Sequence, residues 1–300
     1  MKLPLTLPDS KHLVLLLKVV VFVFLALVGE TVFGMFFWQL MEPRLFVVSA
    51  LTVFAAAAVA NTLAMRIWER GNLLDVGFAW NSASVRNLLL GLSGGIVAAL
   101  VTIFGPVLER AADVIRTAPS VEWGSVAFVL VVLVFGAIGE EMLFHGYGFQ
   151  VLLGTLGPVA TILPVSILFA WAHANNPDFS TLALVNTALW GLLFGFAFWR
   201  SGDLWLPIGL HLGWNWTLPL CGSNLSGFTM NVTGFAVRWR PGYERWSGGA
   251  YGPEASLVNT GVLVALFLWL ILKAPVRRQT PFLLRERWDE IGWPQPPSAE

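Results

Sequence analysis

The chain has 300 residues, 56% of them hydrophobic and only 12% charged, with a formal net charge of zero. A mean hydropathy of +0.71 places it among polytopic membrane proteins, and the lack of a basic surplus excludes nucleic acid as an expected partner. A single cysteine, Cys221, excludes an internal disulfide and any CxxC metal or redox motif.

The first apolar run, His12 to about Leu40, has no small-residue cleavage signature and reads as a retained first helix. Lys18 and Glu30 lie inside it and are expected to reach toward opposite interfaces. A second helix is expected over Leu45–Trp68, then a short interfacial segment between Glu69 and Ser84, then a third helix over Val85–Leu108. That third helix carries Gly91 and Gly95 four apart, a close-packing signature. A polar connection with Glu109, Arg110, Asp113 and Arg116 leads to one long apolar helix, Val121–Leu153, turned round by Gly154–Gly157.

Helix 5 is expected over Pro158–Asn175 with Pro164 kinking it, helix 6 over Thr181–Trp199 with Gly191 and Gly195, and helix 7 over Leu204–Leu220 with Gly209 and Gly213. Cys221–Ala255 is too polar to span; helix 8 follows at Ser256–Leu272, and the basic, proline-rich tail is expected to be loosely ordered. The expected architecture is therefore an all-α, polytopic membrane bundle of about eight helices. Its parts are 1–120 (helices 1–3 with the interfacial segment), 121–220 (helices 4–7), 221–255 (an extramembrane loop and candidate lid) and 256–300 (helix 8 and tail). Eight spans put both termini on one side, with Lys2, Lys11, Arg66, Arg70, Arg86, Arg200, Lys273, Arg277, Arg278, Arg285 and Arg287. The other side holds Arg44, Arg110, Arg116, Arg238, Arg240 and Arg245, so the positive-inside rule favours cytoplasmic termini.

The exceptional stretch is Gly139-Glu140-Glu141-Met142-Leu143-Phe144-His145-Gly146, inside the longest apolar run. One carboxylate in hydrocarbon costs roughly 2.5–3.5 kcal/mol on insertion scales, so a pair demands partners or a water-filled pocket. About the Gly154–Gly157 turn, Glu140 and His173 both lie about 21–24 Å along their helices and can face each other. Helix 7 brings His211 and Asn215, four apart on one face, to a similar depth. Each has a structural alternative: His173 as a polar helix end, His211 as a satisfied core histidine, Asn215 as an interhelical hydrogen-bond group. The functional case rests on the set.

The set Glu140-Glu141-x-x-x-His145, Phe169-x-x-x-His173 and His211-x-x-x-Asn215 resembles the CPBP family, the CAAX proteases and bacteriocin-processing enzymes also called Abi. The text from Arg200-Ser201-Gly202-Asp203 to His211 is similar to that family as well, and the resemblance covers about Val121–Leu220. It departs at one place: His145 stands where the family has arginine. The resemblance implies an intramembrane endopeptidase in which Glu140 and His173 activate a water, Glu141 supports, and His211 and Asn215 hold the oxyanion. Neutral histidine and asparagine both offer N–H donors for that last task. His145 and Phe169 would support the site, with His145 pairing with Glu141.

Other readings stay open. His173, His211 and Glu140 have the composition of a catalytic zinc site, although no His-Glu-x-x-His motif is present. A proton-coupled transporter would also use intramembrane Glu and His, but no internal repeat supports it. A non-catalytic scaffold or immunity protein of the same fold is the third alternative. The expected setting is a bacterial plasma membrane, with the lipid bilayer and a peptide or protein substrate as partners. Nothing in the sequence selects the substrate, prenylated or not, or the oligomeric state.

Overall fold

The computed structural model describes residues 10–41, 44–118, 120–230 and 232–294. Lys2 and the last six residues of the tail lie outside them. Among the described residues eleven α-helices follow in order: α1 (Ser10–Met41), α2 (Leu45–Ala64), α3 (Ser82–Leu108), α4 (Trp123–His145), α5 (Tyr147–Leu156), α6 (Pro158–Ala172), α7 (Thr181–Ser201), α8 (Trp205–Leu220), α9 (Glu244–Ser247), α10 (Leu257–Leu272) and α11 (Trp288–Ile291). Two strands, β1 (Ala112–Arg116) and β2 (Phe235–Trp239), lie between them.

Five helical stretches among the described residues are long and apolar enough to cross a membrane: His12–Met41, Leu45–Glu69, Ser82–Leu108, Trp123–Leu156 and Thr181–Ser201. The chain is an integral membrane protein. Two shorter apolar helices, α6 and α10, fall below a full span, as does α8 with 16 residues. The expected total of eight is reached only if all three of these also cross. α1 exposes Leu16, Phe24, Leu27, Met35 and Phe36, the lipid-facing residues of a helix that covers one edge of the bundle.

Glycine decides the closest helix pair. Gly91 and Gly95 of α3 face Gly209 and Gly213 of α8. A Cβ on Gly91 would run into the Leu206 carbonyl oxygen, one on Gly95 into that of Leu210, and one on Gly213 into that of Leu92. Neither pair of backbones can approach this closely with any larger residue. His211 is two residues from both glycines of α8, about 200° round the helix, so the face opposite α3 presents it to α4. Gly95→Val is therefore expected to wedge α8 away, lowering the melting temperature by several degrees, as overpacking costs about 1–3 kcal/mol. Activity should fall with it. An unchanged melting curve in detergent would show that this contact does not hold the bundle.

The expected single helix 4 is two. The chain breaks at Gly146 (φ −77°, ψ −140°), and α5 sets off in a new direction. Such a break frees backbone groups that lipid cannot satisfy. Two buried amides take them up. Asn61 of α2 donates to the carbonyls of Ala57 (2.8 Å) and Met142 (3.0 Å), and its oxygen accepts the Tyr147 N–H at 2.7 Å. Gln150 donates to the His145 carbonyl at 3.2 Å and to that of Val76 at 2.8 Å. A Cβ on Gly146 would strike the Asn61 side-chain oxygen, so glycine is required where α2 crosses.

The bundle is all-α but for one small ribbon: β1 pairs antiparallel with β2, Ala112 opposite Trp239 and Arg116 opposite Phe235, tying the α3–α4 connection to the long Cys221–Ala255 segment. Pairing spares both connections from leaving their backbone groups to water. One further expectation is corrected: the tail is not loose over its described part. Leu284 and Trp288 are buried, and Arg278 lies over the Trp288 ring at 5.2 Å and donates to its carbonyl at 2.9 Å. The Asn87 side chain brackets Arg277, donating to its carbonyl at 2.7 Å and accepting its N–H at 2.8 Å. Apolar anchors and a buried amide outweigh the proline-rich composition.

Candidate active site

α4 carries Glu140 and Glu141 at consecutive positions, which point about 100° apart and enter different surroundings. Glu141 is fully buried. One of its oxygens accepts the His145 Nδ1 hydrogen at 2.7 Å and the other that of His211 at 2.8 Å. Both imidazoles must donate there, because an ionised carboxylate can only accept. Glu141 thus fixes the orientation of two rings at once.

Glu140 is the more open of the pair, with a quarter of its side chain exposed (26%). Its Oε2 lies 3.6 Å from His173 Nε2 and 3.8 Å from His211 Nε2. Both separations exceed a direct hydrogen bond and suit groups that share a water. Among the described residues this oxygen makes no hydrogen bond.

His173 stands at the C-terminal cap of α6, where the last carbonyls of a helix lack partners. Its Nδ1 donates to the Phe169 carbonyl at 2.8 Å, which commits the proton to that nitrogen and turns Nε2 toward Glu140. Phe169 is buried between the rings of His173 (centroids 4.8 Å apart), Phe144 (5.1 Å) and His211 (6.2 Å). Phe194 of α7 stacks on His211 at 4.8 Å, 13° from parallel. Apolar walls of this kind keep the local dielectric low and strengthen every charge interaction inside.

Neutral His211, with its proton on Nδ1, presents a lone pair and no donor at Nε2. With that tautomer, Nε2 donates only when the ring carries both protons. Asn215, one turn further along α8, is half-buried, and among the described residues its side chain makes no hydrogen bond. His145 is fully buried, and its Nε2 has no partner among the described residues. It faces Gly195 of α7, where an added Cβ would lie 3.4 Å from that nitrogen. Gly191 fits against Ser166 and Phe169 in the same interface, so the two glycines expected to aid packing make room for α6 and for His145.

Among the described residues no group of three or more His, Cys, Asp or Glu side chains is arranged to hold a metal ion. His173, His211 and Glu140 have the right donor types, but they do not close into a three-ligand shell, and no step below runs through a metal.

Sequence reasoning missed three residues around this site. Asn61 and Gln150 were legible only as lone amides within apolar runs, a signal that does not name a partner. Glu254 leaves no signal in the sequence beyond a carboxylate in a polar connection. It is buried, and it accepts the Ser226 hydroxyl at 2.9 Å, the Ser226 N–H, and the Trp214 indole N–H at 3.3 Å. Trp214 lies between His211 and Asn215 in sequence, so Glu254 ties the long connection to the helix that carries both.

Burial pushes the Glu254 carboxyl above the ordinary carboxylate range, against the opposing pull of Ser226, Trp214 and the His173 ring. An acid raised in the folded state stabilises that state while protonated. Its contribution is full below the unfolded carboxylate pKa and is lost as pH rises through the raised folded value. Glu254→Gln cannot ionise and is expected to flatten the fall of melting temperature across that window. Parallel melting profiles for the two proteins would rule this out.

Residues 122–217 match a protein family described as type II CAAX prenyl endopeptidase Rce1-like. Over these residues the chain is similar to that family. The match spans α4 to within the last turn of α8 and takes in Glu140, Glu141, His145, Phe169, His173, His211 and Asn215. It covers about a third of the chain and agrees with the resemblance read from the motifs. Among curated proteins the chain has no match. The family matched is one of proteases.

Proposed function

We propose that the Rce1-like domain is an intramembrane endopeptidase that uses Glu140 as its base. The observation that carries this is the convergence of Glu140 Oε2 with His173 Nε2 and His211 Nε2 at 3.6 and 3.8 Å, from three helices, in an apolar setting. A water there donates one hydrogen to Glu140 and the other to neutral His173, which leaves its lone pair for the scissile carbonyl. Glu140 takes the proton as the C–O bond forms and passes it to the leaving nitrogen as the C–N bond breaks. His211, doubly protonated against Glu141, and the Asn215 amide donate to the oxyanion; one such donor is worth about 10²–10³ in rate. Cleavage of a membrane-presented peptide by the purified protein tests this reading, and the glutamate mechanism expects a chelator to leave the rate unchanged. Loss of activity on chelation with recovery on zinc would replace it with a metal mechanism. The Cys221–Ala255 segment, pinned by β1–β2 and Glu254, serves in this reading as a fixed roof over the substrate.

His145 donates one hydrogen bond to Glu141, whereas the family's arginine would bring a permanent charge. His145→Arg is expected to keep the fold and to retain activity. The check is turnover on one substrate beside a melting curve, compared with wild type. A folded variant without turnover would mean that a permanent charge cannot replace this hydrogen bond.

A further inference from the structure

At the end of the bundle that carries both described termini lies a cavity of about 330 Å³ between α1, α5 and the tail. Its wall is mixed: Val14, Leu15 and Val151 are apolar, while Lys18, Arg285 and Arg287 bring positive charge against Glu69 and Glu286. The Lys18 ammonium is paired with Glu69 at 2.6 Å, and Arg287 donates to the Gly154 carbonyl and lies 3.4 Å from Glu290. Arg285 is exposed, and it makes no ion pair among the described residues; its guanidinium lies over the Phe282 ring at 4.6 Å.

Gln150 forms part of the same wall and is fully buried. Its nitrogen donates to two carbonyls, those of Val76 and His145, which fixes the amide's orientation because carbonyls can only accept. Its oxygen is left buried with no partner among the described residues. A buried acceptor in that position is a demand for a donor.

Depth narrows what supplies it. α1 has 32 residues and is about 48 Å long, against a hydrocarbon thickness of about 30 Å. If α1 is centred, about 9 Å overhang at each end, and Lys18, about 12 Å from the start of α1, sits at the hydrocarbon–headgroup boundary.

We propose that this cavity binds the glycerol-phosphate headgroup of an anionic phospholipid. The phosphate lies against Arg285 and Lys18, a headgroup hydroxyl donates to the Gln150 oxygen, and the acyl chains run along Val14, Leu15 and Val151 toward the bilayer. A choline headgroup carries no hydroxyl and adds a positive charge where positive charge already stands. The site is separate from the catalytic one, although Gln150 touches both through the His145 carbonyl.

The test uses the full-length protein purified in detergent and follows lipid adducts by native mass spectrometry and by thermal melting. Phosphatidylglycerol is expected to bind and to raise the melting temperature, phosphatidylcholine to do neither. Soluble glycerol 1-phosphate, lacking chains, should compete only at far higher concentration. Arg285→Glu should weaken phosphatidylglycerol binding on the order of tenfold, as reversing one charge near a lipid surface does. Arg66→Glu, an exposed arginine at the same end but outside the cavity, should leave it unchanged. Equal binding of both phospholipids, or no effect of Arg285→Glu, would overturn the site. Equal potency of glycerol 1-phosphate would overturn the lipid as the ligand.

Discussion

Replacing Glu140 by glutamine is expected to lower turnover by about 10²–10⁴-fold, the usual worth of a positioned base, while the protein melts as before. The two halves of that expectation come from different facts. Glu140 Oε2 faces two imidazole nitrogens at distances that a substrate water can bridge. The same oxygen makes no hydrogen bond among the described residues and a quarter of the side chain is open, so an amide of equal shape strands nothing. Rates on a membrane-presented peptide and a melting curve in the same detergent decide it. Near-normal turnover would remove Glu140 from the chemistry.

Glu141 should behave in the opposite way. Glu141→Ala is expected to destabilise the bundle by about 3–5 kcal/mol, the cost of breaking a buried ionic arrangement from one side. The variant would leave the Nδ1 hydrogens of His145 and His211 facing an apolar cavity, both on nearly or fully buried rings. Glu141→Gln separates orientation from volume. A glutamine oxygen accepts from only one of the two rings, and its amide nitrogen then confronts the N–H of the other, which must turn or change tautomer. That variant is expected to fold, melt earlier than wild type and lose most activity. A Glu141→Ala protein with wild-type melting would mean that the His145–Glu141–His211 bridge carries no stability.

How far this was legible depends on which physical signal each residue leaves in a sequence. Helix spacing and depth placed Glu140, His173 and His211 together, because intramembrane charge is costly enough that its partners must lie on neighbouring helices. The i, i+4 relation of Glu141 and His145 likewise predicted a pair, found at 2.7 Å. The second partner of Glu141 was not foreseen: which face of α8 holds His211 depends on the glycine seam with α3, and a seam has no partner written in its own sequence. The break at Gly146 escaped for a similar reason. Local composition favours a continuous helix from Val121 to Leu153, and it is Asn61, some eighty residues away, that makes the interruption tolerable. The tail reads as loosely ordered because Trp288 and Leu284 stand among prolines and charges, and only the tertiary fold shows that they are buried.

The central claim is that Glu140 and His173 act as one unit on one water, and the most direct measurement is a double-mutant cycle in kcat/KM. Wild type, Glu140→Gln, His173→Ala and the double variant would be compared on a single peptide, with folding checked for each. Groups that work as a unit are non-additive, so the account predicts that the double variant is no slower than the slower single variant. Losses that multiply would contradict it, since they would assign the two residues to separate steps.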